Sequence, residues 1–242
     1  MIDTPPQSRP FDKYATLGAY HWVECDKNAP DHLYNPPLDA RYRVLSKRIR
    51  NQGHLLDVGC GDGYLMSRIS PHCDRVTGID TEATAVRLAE ELLVPYPNCR
   101  VVQGSCYRLE FADATFDVAL MADVVEHLER PELALKEIKR VLKPAGSLLL
   151  TTPKARSNGM WDERHVREYL PESLLDLLSS TFSDTKLSYF WPIWWCRFYE
   201  TRGGWRSTKV LSKYLYNPFN KEGDDPSRFG QCLAVCKSGG RS

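Results

Sequence analysis

A cluster of glycines between an apolar segment and a helical one constrains the fold of this chain more than any other feature. Residues 55–58 form a short apolar run, which is followed at once by Gly59 and Gly61, and a helical pattern begins near Tyr64. Glycine lets the chain turn sharply and lets a ligand touch the backbone. The free N–H groups at the start of the following helix then face that ligand. The position of the cluster therefore predicts a nucleotide-type site at the end of the first strand.

Short apolar segments alternate with amphipathic segments through most of the remaining chain. Strands are predicted over residues 55–58, 76–80, 100–103, 116–121, 147–152, 185–190 and 231–236. Between the fourth and fifth strands, apolar residues recur at helical spacing from Ala134 to Leu142, with charged residues on the other face. This alternation is typical of a parallel sheet that helices cover on both faces. Ligands of such a sheet bind at the carboxyl ends of its strands.

The sequence divides into an N-terminal extension, residues 1–50, and an α/β domain, residues 51–242. The extension is rich in aromatic residues and contains a predicted helix over residues 38–49. The basic residues of this helix, Arg41 among them, are expected on a solvated face. Residues 191–229 form an insert before the last strand, and the first half of the insert is dense in aromatic residues. We expect the insert to lie over the ligand-binding edge of the sheet.

Composition argues against several classes of protein. The formal net charge is +1, whereas nucleic-acid-binding proteins normally carry a basic excess. No apolar run approaches the roughly 20 residues that a membrane-spanning helix needs, and the N-terminus lacks the pattern of a secretory leader. Eight cysteines without a Cys-x-x-Cys pair are expected to be reduced thiols. These features predict a cytoplasmic protein that binds no nucleic acid.

Five short motifs, in their order and spacing along the chain, carry a family resemblance. They are Asp57-Val58-Gly59-Cys60-Gly61-Asp62-Gly63, Gly78-Ile79-Asp80, Phe116-Asp117-Val118, Val125-Glu126-His127-Leu128 and Leu142-Lys143-Pro144-Ala145-Gly146-Ser147. Together they resemble the class I S-adenosylmethionine-dependent methyltransferases of the ubiquinone/menaquinone-biosynthesis-like type (methyltransferase type 11). The resemblance covers about residues 53–183. It implies S-adenosylmethionine as cofactor and a Rossmann-like, mostly parallel sheet of seven strands with helices on both faces.

The resemblance implies positions for the cofactor at the ends of the first two strands. Asp57, Gly59 and Gly61 would line its methionine end, and Thr81 would lie beside its adenine. Asp80 ends the second strand, where an acidic residue can accept hydrogen bonds from both ribose hydroxyls. A carboxylate that only caps the following helix is the alternative interpretation of Asp80.

The third and fourth strands complete the implied cofactor site. Met121, Ala122 and His127, at and after the end of the fourth strand, would lie near the sulfonium. Related families usually have an acidic residue after the third strand, which accepts a hydrogen bond from the adenine amino group. Here Ser105 and Cys106 stand at that place. A serine hydroxyl accepts a weaker hydrogen bond than a carboxylate does, so this departure concerns the affinity for the cofactor.

Histidines are the candidates for acceptor chemistry, because methyl transfer to a hydroxyl needs a group that removes the hydroxyl proton. His165 follows the fifth strand and is predicted to be the base or a ligand of the acceptor, with packing of its loop as the alternative. In similar enzymes the N-terminal segment folds over the cofactor, so Tyr14 and His21 are predicted to close the pocket. Anchoring of the N-terminal arm is their alternative role.

We expect no metal ion, although several side chains have suitable donor atoms. Small-RNA methyltransferases carry a metal site at the position of Glu126 and His127, completed by a later histidine. In this chain Asp123 and His165 are further candidates. The Glu126-His127 pair also occurs in metal-free members of the resembled family, and no basic excess supports an RNA substrate.

The insert gives the clearest indication of the methyl acceptor. Residues 197–228 contain seven basic and four acidic residues, so the local excess is 7 − 4 = +3. Aromatic residues beside cations suit a lid over an apolar or anionic small molecule. They also suit contact with a membrane surface, which we disfavour. A minor core that packs the insert onto the sheet is the third interpretation.

The favoured function is methylation of a small-molecule acceptor, and O-methylation is preferred because His165 offers a base. The first alternative is a non-catalytic nucleotide-binding relative that recruits a partner. It is disfavoured because no glycine or ribose-binding carboxylate is missing from the motifs. Methylation of a membrane-bound lipid quinone is the second alternative.

Overall fold

The computed structural model describes residues 13–156 and 162–239. Within these ranges eight strands form one sheet, namely β1 (Gln52–Val58), β2 (Cys73–Asp80), β3 (Cys99–Gln103), β4 (Phe116–Ala122), β5 (Leu142–Pro153), β6 (Asp184–Pro192), β7 (Glu222–Gly223) and β8 (Phe229–Lys237). Their order across the sheet is β3-β2-β1-β4-β5-β8-β6-β7. Seven strands correspond to the predicted ones, and β7 is an additional strand of two residues inside the insert. The predicted α/β class and mostly parallel sheet are confirmed.

Strand direction determines which residues meet at the ligand-binding edge. β1 pairs in parallel with β2 and with β4, so that Asp57 lies opposite Gly78 on one side and Leu120 on the other. β3 and β5 extend this parallel arrangement. β8 is antiparallel to both β5 and β6. The residues that follow β1, β2, β3 and β4 therefore come together at one edge.

Helices cover both faces of the sheet. In the described ranges they are α1 (Lys13–Leu17), α2 (Tyr20–Glu24), α3 (Pro36–Ser46), α4 (Tyr64–Ile69), α5 (Ala83–Leu92), α6 (Pro131–Val141), α7 (Pro171–Ser179), α8 (Ile193–Tyr199) and α9 (Arg202–Tyr214). Side chains alternate along β1: Leu56 and Val58 pack in the core with α6 and α7, whereas Leu55 packs in the core with α3 and α4. The two-sided core is what the alternation of apolar and amphipathic segments predicts.

The N-terminal extension packs along the ligand-binding edge of the sheet. The backbone N–H of Ala15 donates to Glu82 Oε1 at 3.0 Å, just before α5. The Trp22 indole N–H donates to the carbonyl oxygen of Asp62, in the glycine turn, at 2.9 Å. The predicted helical extension is therefore present in the described residues and lies directly over the glycine turn.

The insert packs on α3 and on the edge of the sheet. Asn217 Nδ2 donates to the carbonyl oxygen of Pro36 at 2.8 Å, and Phe219 is buried in the same core as α3. Trp194 and Phe198 of α8 remain 59% and 39% exposed. These contacts are those of a minor core with an exposed aromatic face. None of the helices in the described residues is both long and apolar enough to cross a membrane.

Candidate active site

A cavity of about 590 Å³ lies at the carboxyl ends of β1, β2 and β4, beneath the N-terminal extension. Eleven of the thirteen predicted site residues line it, namely Tyr14, His21, Asp57, Gly59, Asp80, Thr81, Ser105, Cys106, Ala122, His127 and His165. The wall also contains residues that the sequence interpretation missed, including Lys13 and Arg41, and it contains Trp191 of the predicted insert. The structure therefore places nearly all predicted residues around one space.

The glycine turn depends on backbone conformations that other residues rarely adopt. Gly59 and Gly61 have φ angles of +73° and +55°. The N–H groups of Gly59 and Cys60 both donate to the carbonyl oxygen of Ile79, at 2.8 and 3.1 Å, which ties the turn to β2. A Cβ atom on Gly61 would lie 1.8 Å from the Tyr14 hydroxyl oxygen. Gly61 lies outside the cavity lining because Tyr14 covers it.

Asp80 anchors the glycine turn to the start of α5. Its Oδ2 accepts the N–H of Gly61 and its Oδ1 accepts the N–H of Glu82, both at 2.9 Å. Burial raises the pKa of Asp80, while the backbone N–H groups of Glu82 and Gly61 oppose this shift. Each carboxylate oxygen can accept a second hydrogen bond. Asp80 thus organises the start of α5 and retains capacity for further hydrogen bonds. Its contact with the cofactor ribose remains a prediction.

Asp57 presents a buried carboxyl oxygen for which the described residues provide no hydrogen bond. Its side chain is 1% exposed, lines the cavity, and has no partner at Oδ2. Burial raises the pKa of Asp57 to about 7, and the charge of Asp80 adds to the shift. A buried unpaired oxygen is costly unless a ligand satisfies it. The cationic amino group of S-adenosylmethionine has the chemistry that this oxygen requires.

The segment after β3 offers weaker hydrogen-bonding groups. Ser105 Oγ accepts the backbone N–H of Tyr107 at 3.2 Å, so the hydroxyl also shapes the local turn. Cys106 is buried, and burial raises the pKa of its thiol to about 12. Both residues line the cavity. Their contact with the adenine stays a prediction.

Met121 lies in the core and outside the cavity lining, which corrects its predicted position beside the sulfonium. It is fully buried in the core that contains α6, whereas its neighbour Ala122 lines the cavity. Successive side chains of a strand point to opposite faces, so both residues cannot face the ligand. Val124 does line the cavity, and it packs against the glycine turn, since a Cβ atom on Gly59 would lie 2.5 Å from its Cγ2.

Tyr14 and His21 bring the extension onto the glycine turn. The backbone N–H of His21 and its Nδ1 contact the two carboxylate oxygens of Asp62, at 3.1 and 3.0 Å. The ring of Tyr20 lies 3.9 Å from that of His21. Burial raises the pKa of Tyr14 well above its usual value, with Tyr20 contributing, so its phenol stays neutral. These are the contacts of an anchor, and a direct catalytic role for either residue remains a prediction.

Arg41 corrects the expectation of a solvated basic face on the helix of the extension. Its side chain is 16% exposed and its guanidinium lies 2.5 Å from Asp123 Oδ2. Asp123 Oδ1 also accepts Thr151 Oγ1 and Gln231 Nε2, both at 2.7 Å. The guanidinium carbon lies 5.4 Å from the ring of Trp191. The signal that sequence analysis missed is the position of Arg41 between Ala40 and Tyr42, two buried residues of α3.

Trp191 is the part of the predicted lid that reaches the cavity. Among the described residues of the insert, only Trp191 lines the cavity, and its φ angle is +63°. Such a conformation is strained for a bulky residue. It turns the chain from β6 into α8 beside Arg41. The covering role of the remaining insert stays a prediction.

Glu126, His127 and His165 form a cluster in the cavity wall. One potential ligand atom from each lies within 4.8 Å of the other two. His165 Nδ1 lies 2.6 Å from Glu168 Oε1, and His127 Nδ1 lies 3.2 Å from the carbonyl oxygen of Arg164. Burial lowers the pKa of His127 and raises that of Glu126 well above its usual value. The predicted His127 and His165 therefore lie close together, beside the buried Glu126.

Sequence comparisons identify the domain. Residues 56–150 match the family described as a methyltransferase domain. A ubiquinone biosynthesis O-methyltransferase of Coxiella burnetii is 29% identical over 150 residues, 58% of this chain and 59% of that protein. An uncharacterized methyltransferase of Schizosaccharomyces pombe is 33% identical over 177 residues, 69% of this chain and 62% of that protein. The chain spans 59% of the length of the first curated relatives that it matches.

Solved structures agree on the fold. The YcgJ protein of Bacillus subtilis is 19% identical with a TM-score of 0.61, covering 84% of this chain and 100% of that one. A phosphoethanolamine N-methyltransferase of Haemonchus contortus is 16% identical with a TM-score of 0.68, covering 98% of this chain and 61% of that one. Residues 56–150 thus match a methyltransferase domain, and the solved structures show a shared fold over most of the chain. S-adenosylmethionine is the cofactor of this domain, as predicted.

Proposed function

We propose that this protein transfers a methyl group from S-adenosylmethionine to a hydroxyl oxygen of a small molecule. The proposal rests on one observation: a single cavity contains both the glycine turn, with Asp57 and Asp80, and the histidine cluster around His165. The first group suits the cofactor and the second suits an acceptor that must lose a proton. The Coxiella burnetii relative is named as an O-methyltransferase, which supports an oxygen atom as the methyl acceptor.

The residues at the cavity fit the cofactor by charge and hydrogen bonding. Asp57 Oδ2 is the unsatisfied acceptor for the cofactor amino group, and Asp80 is the acceptor for its ribose hydroxyls. Bound S-adenosylmethionine supplies an electrophilic methyl group on a sulfonium. The acceptor atom must approach within about 3–3.5 Å of that methyl, opposite the sulfur, so positioning supplies much of the rate.

His165 is the residue that we assign to the acceptor oxygen. A carboxylate can only accept a hydrogen bond, so the contact with Glu168 places the proton of a neutral His165 on Nδ1. The Nε2 lone pair is then directed to another group. A base held in this way contributes about 10²–10⁴-fold to the rate of a reaction that removes a proton.

The test is formation of S-adenosylhomocysteine together with a methylated product. The purified protein is incubated with S-adenosylmethionine and a panel of phenols, hydroxy acids and sugars, each paired with an analogue that lacks the hydroxyl. Product from the hydroxyl compound, and none from its matched analogue, is the expected result. S-adenosylmethionine binding without S-adenosylhomocysteine from any acceptor would favour a non-catalytic, partner-recruiting protein. Methylation of a nitrogen or carbon atom instead would contradict the proposed O-methylation.

A lipid quinone is the second candidate acceptor, because Trp194 and Phe198 are exposed on the insert. Exposed tryptophan favours a membrane interface. This candidate predicts co-sedimentation with lipid vesicles, which Trp194→Ala weakens. Equal sedimentation of both proteins would remove the support for this candidate.

A further inference from the structure

Two separate segments bring three metal-ligating side chains together. Glu126 and His127 belong to the short helical turn after β4, and His165 belongs to the loop that precedes α7. The backbone N–H of Val166 donates to the carbonyl oxygen of Glu126 at 2.8 Å, which fastens the two segments to each other. The rings of His127 and His165 lie 5.0 Å apart and nearly perpendicular, at 72°. One ligand atom of each residue lies within 4.8 Å of the others.

Both histidines are oriented by an oxygen acceptor at Nδ1. Glu168 Oε1 lies 2.6 Å from His165 Nδ1, and the carbonyl oxygen of Arg164 lies 3.2 Å from His127 Nδ1. Neither acceptor can donate a hydrogen bond when the carboxylate is ionised, so neutral rings carry their protons on Nδ1. The lone pair of each ring then sits on Nε2. Histidines that bind metals are almost always held in this manner by a carboxylate or a backbone carbonyl.

Glu126 adds a buried oxygen that a cation would satisfy. The residue is 0% exposed, and its Oε2 accepts Thr152 Oγ1 at 2.9 Å. Its Oε1 is buried without a hydrogen bond among the described residues. The guanidinium of Arg41 pairs with Asp123 through Nη2, and no hydrogen bond from it reaches Glu126 Oε1 in the described residues. A buried unpaired carboxylate oxygen is unfavourable unless a cation or a donor reaches it.

We propose that Glu126, His127 and His165 bind one divalent transition-metal ion in the wall of the cavity. Two imidazole nitrogens and one carboxylate oxygen suit Zn²⁺, Fe²⁺ or Co²⁺, whereas Mg²⁺ and Ca²⁺ prefer oxygen ligands alone. Three protein ligands leave a coordination position for an oxygen atom in the cavity. The sequence interpretation expected no metal, because the Glu126-His127 pair also occurs in metal-free members of the resembled family and no basic excess supports an RNA substrate. The geometry of the three side chains is what the structure adds.

The consequence for the acceptor rests on the proposed function. A hydroxyl oxygen in the open position would lose its proton to water more readily, since a bound cation stabilises the oxyanion. His165 would then act as a ligand of the ion instead of as the base itself. Binding of the ion is independent of this consequence and is measured on its own.

The test is a calorimetric titration of the full chain with Zn²⁺, and separately with Co²⁺, after removal of metals with a chelator. The wild-type protein is expected to bind one ion per chain. Glu126→Gln and His165→Asn each remove one ligand atom and should weaken binding at least tenfold, about the smallest effect expected from a change at a metal site. Glu168→Gln leaves all three ligands in place and should weaken binding by about 10–100-fold, through the orientation of His165.

His32→Asn is the matched control, because His32 is exposed and lies outside the cluster. It should bind the ion as the wild type does. Failure of the wild type to bind either ion, or equal binding by the wild type, Glu126→Gln and His165→Asn, would overturn the proposal. Circular dichroism melting in chelator identifies any variant that does not fold, and His165→Asn, in a loop, keeps the test available if Glu126→Gln unfolds.

The two proposals fail in different ways. The titration contains neither S-adenosylmethionine nor an acceptor, so absence of metal binding overturns the ion and leaves methyl transfer intact. If one ion binds but no acceptor yields S-adenosylhomocysteine, methyl transfer is contradicted and the ion site stands.

Discussion

Asp80 shows how one side chain can serve the fold and a ligand together. Its two oxygens hold the N–H groups of Gly61 and Glu82 and retain capacity for further donors. We expect Asp80→Ala to weaken S-adenosylmethionine binding by about tenfold or more, the effect of losing a charge-assisted hydrogen bond. Asp74→Ala, at an exposed position of the same strand, is the matched control. Unchanged affinity in a calorimetric titration would remove Asp80 from the ribose site.

Asp57 predicts that cofactor binding depends on pH. Burial raises the pKa of its carboxyl to about 7. A cationic amino group favours the ionised carboxylate, so affinity should increase between about pH 6 and about pH 8. Asp57→Asn lacks the titrating group and should show a flatter profile. Calorimetry in buffers of different ionisation enthalpy should detect proton release with the wild type alone, and identical profiles for both proteins would contradict this role.

The same carboxyl predicts the sign of a pH effect on stability in the ligand-free protein. Its pKa in the folded state, about 7, lies above the unfolded value of about 3.9. The folded state therefore binds the proton more tightly, and this stabilisation is complete below the unfolded pKa and lost as the pH rises through about 7. Relative to the urea midpoint of Asp57→Asn, the urea midpoint of the wild type should fall as the pH is raised from about 5 to about 8. A constant difference would contradict the raised pKa.

Substitution of His165 should affect the reaction of the acceptor and leave cofactor binding unchanged. We expect His165→Ala to reduce turnover by about 10²–10⁴-fold, whether the ring acts as a base or holds the acceptor's metal ion. Affinity for S-adenosylmethionine, measured by calorimetry, should stay the same because Asp57 and Asp80 are untouched. His32→Ala, at an exposed histidine, controls for the loss of an imidazole. Wild-type turnover in His165→Ala would exclude the residue from the reaction.

At the level of elements, the contact between the glycine turn and α1 holds the N-terminal extension in place. Gly61→Ala would place a methyl group 1.8 Å from the Tyr14 hydroxyl oxygen, at a φ angle of +55°. We expect faster proteolytic cleavage of the extension in this variant, measured against Gly203→Ala, where nothing lies within 4 Å of the added Cβ. Tyr14→Ala removes the contacted hydroxyl, so the two substitutions should be strongly non-additive. Additive effects would show that the turn and the extension are independent.

The same elements show where local sequence information ends. The predicted helix over residues 38–49 is α3, but sequence alone placed Arg41 on a solvated face. The burial of Arg41 depends in part on the insert, since the ring of Trp191, about 150 residues away in sequence, lies against its guanidinium. Local periodicity carries no information about such a distant cover. Met121 was misplaced for a simpler reason, because strand alternation allows only one of Met121 and Ala122 to face the cavity.

For the whole molecule, the order of elements and the cofactor edge follow from the sequence. Strands and helices alternate with clear periodicities, and a parallel sheet places the residues after β1, β2 and β4 together. Asp57, Gly59 and Asp80 were therefore predicted in their observed place. The cluster of Glu126, His127 and His165 depends on a loop that returns after β5, and its closure is a tertiary contact. Sequence spacing identified these three residues as candidates, but it did not show that their side chains lie close together in the fold.

The most direct measurement is calorimetric titration of the purified protein with S-adenosylmethionine and, separately, with NAD. The glycine turn, Asp57 and Asp80 predict one molecule of S-adenosylmethionine per chain with micromolar affinity. NAD should produce no binding heat, because the turn has the order Gly-x-Gly-x-Gly instead of that of a dinucleotide site. Absence of S-adenosylmethionine binding, or equal binding of NAD, would contradict the assignment of this cavity to the methyl donor.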